Sequence, residues 1–176
     1  WSKTHVFSTL NICWAAQASL YYHFGVKKEQ VKDKVFGVFE HDVLVENHTL
    51  TRGFTDTFLA PHSRHTKIEE EKLPTISELD ILAKSEDVGT LLVATKDLRK
   101  IFVTGHIEYD ADTLHNEYIR DKRSNLPIEI PVNYYPGNDD TKTPKNRWRG
   151  VAYLFYHNWL NQVYQQTPYD LSDLGK

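Results

Sequence analysis

Between His5 and Phe24 the spacing of apolar residues changes period at one position. His5 to Ile12 (HVFSTLNI) is rich in β-branched and apolar types, as a strand is, whereas Trp14 to Phe24 is built of helix formers with Trp14, Ala18, Tyr21 and Tyr22 at helical spacing. The change falls at Cys13, the only cysteine of the chain. A strand that runs into a helix through a tight turn belongs to α/β domains, and it lifts the turn residue above the sheet edge. There the backbone N–H of the next residue, Trp14, can donate to an oxyanion, and the helix N-terminus favours a thiolate. Such elbows usually carry glycine two residues before and after the nucleophile; here those positions are Asn11 and Ala15. Two readings of Cys13 therefore stand, a nucleophile and a small buried hydrophobe.

The rest of the chain fits the same class. Val35 to Leu44 reads as a second extended segment, followed by loop signals at Asn47 to Gly53. Phe58 to Thr66 (FLAPHSRHT) carries too many polar groups for a core strand. Leu79 to Ala83, Thr90 to Thr95 and Lys100 to Thr104 read as short strands of a hairpin or meander. Asp110 to Arg123 has a helical pattern with Leu114, Tyr118 and Ile119 on one side. Ser124 to Arg147 holds four of the seven prolines and reads as a long irregular excursion, of the kind that is functional or ordered against something else. Trp148, Val151, Ala152, Phe155, Trp159, Leu160 and Val163 recur at helical spacing. Strand, helix, then strands mixed with helices predicts an α/β domain with a mostly parallel sheet and an antiparallel excursion.

Composition narrows the function. Four Trp, ten Tyr and eight Phe among 176 residues supply a real core, which excludes a disordered tail. The net charge of −3 lacks the basic excess of a protein that binds nucleic acid by counterion release. No uncharged apolar run approaches the roughly 18 residues that span a bilayer, so a soluble chain is expected. One cysteine excludes an internal disulfide framework and a multi-cysteine zinc site, which points to a reducing compartment. The sequence starts at Trp1 and contains no methionine, as expected of a processed chain or a piece of a longer one, and no secretory signal opens it.

A nucleophilic cysteine needs a base. Thr104 to Asp110 (TGHIEYD) ends a predicted strand and offers His106 and Glu108, which an extended backbone directs to the same side. Either His106 caps the following helix, or Cys13, His106 and Glu108 form a nucleophile, a base and an orienting carboxylate. Pro61-His62-Ser63-Arg64-His65 reads as a substrate loop or as a weak metal site through His62 and His65, for which no third ligand can be placed. On spacing alone Lys34 and Arg120 read as solvated surface charges.

The residues also match a family. Thr4-His5-Val6, the run Asn11-Ile12-Cys13-Trp14-Ala15-Ala16-Gln17-Ala18, Phe36-Gly37-Val38-Phe39-Glu40-His41, Arg52-Gly53-Phe54, Ala60 to Thr66, Phe102 to His106, Asn158-Trp159-Leu160-Asn161 and Thr167-Pro168-Tyr169-Asp170-Leu171 together resemble the homoserine O-acyltransferases of methionine biosynthesis, also called homoserine transsuccinylases. The resemblance covers essentially the whole chain in order. It departs at Asn11, where many members have His, at Ala15, where they usually have Gly, and at Ile107, where Pro is common.

The resemblance implies a class I glutamine amidotransferase-like, flavodoxin-like three-layer sandwich. Residues 1–176 would be the C-terminal part of a single domain whose first strands lie upstream. It implies a ping-pong acyl transfer from acyl-CoA, a co-substrate and the only cofactor-like molecule needed, to L-homoserine in a cytoplasmic homodimer without metal. Cys13 would carry the acyl group as a thioester, His106 would be general base and acid, and Glu108 the second essential group. The Trp14 amide serves the oxyanion, and Lys34, Ser63 and Arg120 would contact substrate, Arg120 through the acceptor's carboxylate. The upstream region would supply strands beside the nucleophile strand, a second oxyanion donor and the position that selects acetyl or succinyl. Without it, Trp1 to Lys176 is expected to be inactive and poorly soluble. Acetyl-CoA is the favoured donor and succinyl-CoA the alternative. L-Serine is an alternative acceptor, since one methylene is worth only about 1–3 kcal/mol of discrimination. A Cys-His-Glu glutamine amidotransferase-like hydrolase and a non-catalytic remnant are the readings from other classes.

Overall fold

The computed structural model describes residues 1–168, so the Tyr169-Asp170-Leu171 end of the last motif lies outside the described residues. A short helix α1 (Ser2–His5) leads into strand β1 (Thr9–Ile12) and helix α2 (Trp14–Phe24), which meet at Cys13 as the sequence pattern predicts. A long strand β2 (Lys28–Val43) pairs with β3 (Thr57–Ile68). Strands β4 (Leu79–Ser85), β5 (Gly89–Thr95) and β6 (Lys100–Val103) then form a meander. Helix α3 (Thr113–Arg123), an irregular stretch over 124–148 and helix α4 (Arg149–Gln166) complete the chain.

The six strands form one sheet in the order β1-β6-β5-β4-β2-β3. The α/β class is as expected, but the sheet of this chain is mixed: β1 and β6 run parallel, and the other four pairings are antiparallel. The connections explain the difference. The turns at 86–88 and 96–99 are too short to do anything but reverse the chain, whereas a parallel neighbour needs a crossover of about a dozen residues. Among the described residues β1 is an edge strand.

Helices cover both faces. In β5 and β6 successive side chains point to opposite sides. Val93 and Phe102 join Ala16 and Leu20 of α2 in one buried cluster. Leu92, Ala94, Ile101 and Val103 join Ala152 and Phe155 of α4 in another. A third cluster packs Phe36 and Val38 of β2 against Leu114 and Tyr118 of α3 and against Tyr134, Tyr135 and Trp148. The last three belong to the irregular excursion, which is thus ordered against the sheet. Val132 bridges to the backbone around Gly37, donating to the Phe36 carbonyl (2.9 Å) and accepting from the Val38 amide (2.8 Å). A Cβ on Gly37 would collide with the Val132 backbone, so this docking requires glycine.

Phe58 to Thr66, expected outside the core, is the middle of β3. Strand alternation resolves its polarity. His62 and Arg64 are buried on one face, where they find polar partners, while Ser63 points the other way.

Candidate active site

Cys13 closes β1 with its amide on the Val103 carbonyl (2.7 Å) and starts α2 with its carbonyl accepting from the Gln17 amide (3.2 Å). Its backbone sits at φ 52°, ψ −112°, a combination rarely adopted by a side-chain-bearing residue and characteristic of a strained strand-to-helix elbow. Ala15 is exposed, so its methyl is accommodated where glycine is usual. The Trp14 amide is the first of α2, among those that no carbonyl of the helix itself can take.

His106 arrives from the neighbouring strand. β6 ends at Val103, the Thr104 amide binds the Leu91 carbonyl (2.8 Å), and the His106 amide binds the Pro61 carbonyl (2.8 Å). Gly105 allows this approach: a Cβ there would lie 2.8 Å from the Pro61 carbonyl oxygen and 2.9 Å from His62 Nε2. The imidazole bridges the other two groups of the expected triad. Its Nδ1 is 2.6 Å from Glu108 Oε1, and the Cys13 side chain is the other group that favours its charged form. Burial works against a charged ring, but the hydrogen bonds to Cys13 and Glu108, reinforced by their negative charges, raise the His106 pKa to about 9. Near neutrality His106 is therefore an imidazolium. The Tyr109 ring stacks on it at 4.1 Å and 16°. Burial, then the charges of Glu117, Glu108 and Cys13, push the Tyr109 hydroxyl well above its ordinary value, which keeps it neutral.

The three expected substrate residues converge on a residue that the sequence did not mark. Glu117 of α3 receives Lys34 Nζ (2.7 Å) and the Ser63 hydroxyl (2.7 Å) on Oε1, with Arg120 Nη2 at 3.7 Å. Lys34 also lies 3.5 Å from Asp121 and 4.1 Å from the centre of the Phe36 ring. Arg120 is fixed at its base by Asp121, with Nε and Nη2 at 2.7 and 2.6 Å from Oδ1, while 67% of its side chain remains in water. Lys34 and Arg120 are thus members of one charged cluster and not isolated surface charges. Tyr109, stacked on His106, has its hydroxyl raised in part by the charges of both Glu117 and Cys13. Glu117 and Tyr109 were given no role, although Tyr109 stands in the Thr104 to Asp110 run and Glu117 lies one helical turn before Arg120; that spacing of three on a predicted helix was the available signal for Glu117.

His62 and His65 cannot share a metal. They are three apart in a strand and face opposite sides, His62 buried against His41 and His65 exposed.

The comparisons bear on the fold and the family. A family model described as homoserine O-succinyltransferase matches residues 1–169. A Petrotoga mobilis protein named homoserine O-acetyltransferase is 55% identical over 177 aligned residues, which span 100% of this chain and 57% of that protein. A Clostridium beijerinckii protein of the same name is 53% identical, spanning 99% and 58%. The chain therefore covers little more than half the length of these relatives. Among solved structures, a glutamine amidotransferase from Thermotoga maritima superposes with a TM-score of 0.61 at 15% identity, over 89% of this chain and 62% of that one. A protein described as a GMP synthase subunit from Thermoplasma acidophilum gives 0.60 at 13%, over 93% and 60%. These two establish the class I glutamine amidotransferase-like fold. With the family model matching nearly end to end, the chain belongs to the homoserine O-succinyltransferase family.

Proposed function

We propose that the chain carries the chemistry of a homoserine O-acyltransferase, moving an acyl group from acyl-CoA, with acetyl-CoA favoured, to the hydroxyl of L-homoserine through a thioester on Cys13. The observation that carries the reading is the contact of Cys13, at a strained elbow, with an imidazolium anchored by Glu108.

In the first half-reaction the Cys13 thiolate attacks the thioester carbonyl, and the oxyanion faces the Trp14 amide. Collapse breaks the carbon–sulfur bond to CoA, and His106 gives its proton to the departing thiolate. In the second, neutral His106 removes the acceptor's hydroxyl proton as the oxygen attacks the acyl carbon. Collapse expels Cys13 as a thiolate and leaves the imidazolium, restoring the starting pair. Arg120, anchored on Asp121 through Nε and Nη2 but two-thirds exposed, offers its remaining N–H groups to the acceptor's carboxylate, and Glu117, held by Lys34 and Ser63, suits its ammonium. A groove of about 440 Å³ lined by Trp14, Gln17, Ala18, Tyr21, Lys27 and Lys28 opens beside the nucleophile; its aromatic wall and two lysines suit an elongated, phosphorylated donor. The names borne by the relatives support acetyl as the acyl group.

The test is intact-protein mass spectrometry of the full-length protein mixed with acetyl-CoA or succinyl-CoA. One of the two should leave an adduct on Cys13 that L-homoserine removes with formation of the O-acyl product. Glutamine hydrolysis without any CoA-dependent adduct would overturn the reading in favour of an amidotransferase-like hydrolase.

A further inference from the structure

His106 reaches its place through a tight turn whose fourth residue has no part in the acyl-transfer scheme. The Tyr109 amide binds the His106 carbonyl at 3.3 Å, so His106-Ile107-Glu108-Tyr109 closes as a four-residue turn and is not the extended segment expected from the sequence. Closure brings the first and last side chains of the turn together. The Tyr109 ring centre lies 4.1 Å from that of His106, with 16° between the planes. So close and parallel a stack is a poor arrangement for two neutral aromatic rings, whose negative faces repel. Over a positively charged ring it is favourable, because the negative face of the phenol meets the charge.

The turn is held at each end and in the middle. At its start the His106 amide sits on the Pro61 carbonyl, and at its second position Ile107 is buried in the core cluster that packs under α4. At its end the Tyr109 carbonyl accepts from Trp148 Nε1 (2.8 Å) and from Asn146 Nδ2 (3.5 Å). Trp148 is itself buried against Phe36, Val38 and Leu114, and the Asn146 side-chain oxygen accepts from the Trp148 and Arg149 amides where α4 begins. The last residues of the irregular 124–148 excursion therefore clamp the residue that stacks on the proposed base.

Glu108 grips the imidazole at one atom only, Nδ1, and a third of its own side chain is in water. One hydrogen bond at the edge of a ring leaves the ring free to tilt about that contact, and tilting swings the opposite edge, with Nε2, away from its target. A second ring pressed on the face removes that freedom. We propose that Tyr109 is a positioning residue: its ring, stacked on His106 and clamped by Trp148 and Asn146, holds the imidazole plane so that Nε2 stays aimed at the reacting atoms. The proposal rests on the reading of His106 as general acid and base. Among the described residues the Tyr109 hydroxyl forms no hydrogen bond, so the face of the ring is the part that acts. The titratable groups around the imidazole are Cys13 at the head of α2, Glu108 and Tyr109 of its own turn, and His62 of β3, which burial keeps uncharged. Glu117 and Arg120 of α3 act on Tyr109 in turn, and Tyr156 of α4 faces the charge of Glu108.

The test uses the full-length protein carrying histidine labelled with 13C at Cε1, the His106 signal being assigned by its loss in His106→Gln. Tyr109→Phe keeps the stacked face, whereas Tyr109→Leu removes it, and Tyr109→Gln is a second variant without a ring should leucine fail to fold. In both ringless variants the His106 Cε1 proton should move downfield as the ring current is lost. Its titration midpoint should fall by about one pH unit, the charged ring having lost its aromatic partner. Single-turnover release of CoA at saturating acyl-CoA should slow about tenfold, with the donor concentration for half-maximal rate unchanged, because the donor still binds and only the acid is misaimed. Tyr109→Phe should match the parent in all three readouts. A folded ringless variant that releases CoA at the parent rate overturns the proposal. So does a phenylalanine variant as slow as leucine, which would assign the role to the hydroxyl, and so does a loss that higher donor concentration restores, which would make Tyr109 a binding residue. A parent protein that releases no CoA refutes the acyl-transfer reading. The His106 midpoint then decides the positioning by itself: it stands if leucine lowers the midpoint and phenylalanine does not, and fails if leucine leaves it in place.

Discussion

Glu108→Gln removes the charge 2.6 Å from His106 Nδ1 while keeping an oxygen that can accept the same hydrogen bond. Two unit charges about 4 Å apart interact by about 4 kcal/mol at an effective dielectric near 20. The Glu108 side chain keeps 33% of its surface in water, against 13% for His106. Screening at that exposure reduces the interaction to about 1–2 kcal/mol, or roughly one pKa unit. His106, held at about 9 in the parent, is therefore expected about one unit lower in the variant. Acylation of Cys13 needs the imidazolium to protonate departing CoA, so its rate falls as pH rises through the His106 pKa. The assay is single-turnover release of CoA thiol from acyl-CoA by the full-length protein across the alkaline range. The alkaline limb should move about one unit toward neutrality. The stability linkage has the same sign: because the folded pKa is raised, the ion pair contributes fully below the unfolded value of 6.5 and is lost as pH rises through about 9, and in the variant that loss comes earlier. An alkaline limb that stays in place would refute the assignment of the raised imidazolium to the Glu108 contact.

Cys13→Ala should abolish the acyl adduct and overall transfer, checked by intact mass spectrometry; transfer at the parent rate would exclude a Cys13 thioester. Arg120→Ala should raise the KM for the amino-acid acceptor well above its effect on acyl-CoA, since the first half-reaction never meets the acceptor; equal damage to both half-reactions would make Arg120 structural. His41, lowered from 6.5 to about 4 by burial, binds fewer protons folded than unfolded, so its contribution is complete above 6.5 and lost as pH falls through about 4. That window is worth about 3 kcal/mol. His41→Gln keeps an acceptor for His62 Nε2 and removes the titration, so its melting temperature should depend less on pH between those values; a slope equal to the parent's would contradict the buried neutral pair.

The proposed triad was legible because its parts are local. A change of period marks Cys13, and a His-x-Glu pair after a strand marks His106 and Glu108. Only the pairing of β1 with β6 and the seat of Gly105 on Pro61 bring them together. The polarity of Phe58 to Thr66 argued against a core strand because single-sequence reasoning counts polar side chains without their partners. His62 finds His41 on the neighbouring strand β2, and Arg64 finds the Thr66 carbonyl of its own strand and the Val88 carbonyl between β4 and β5.

Periodicity and turn chemistry act over a few neighbouring residues, and they suffice to specify the elements, the elbow and the cysteine at its tip. The charged cluster is a product of long-range packing. Glu117 meets Ser63 from 54 residues away and Lys34 from 83. No local pattern records such a meeting; it follows from packing α3 and the irregular 124–148 excursion onto β2, where burial of Phe36, Leu114, Tyr118 and Trp148 sets the helix in register with the strand. The parallel pairing of β1 with β6 has the same long-range origin, whereas the antiparallel β4-β5-β6 meander follows from its short turns.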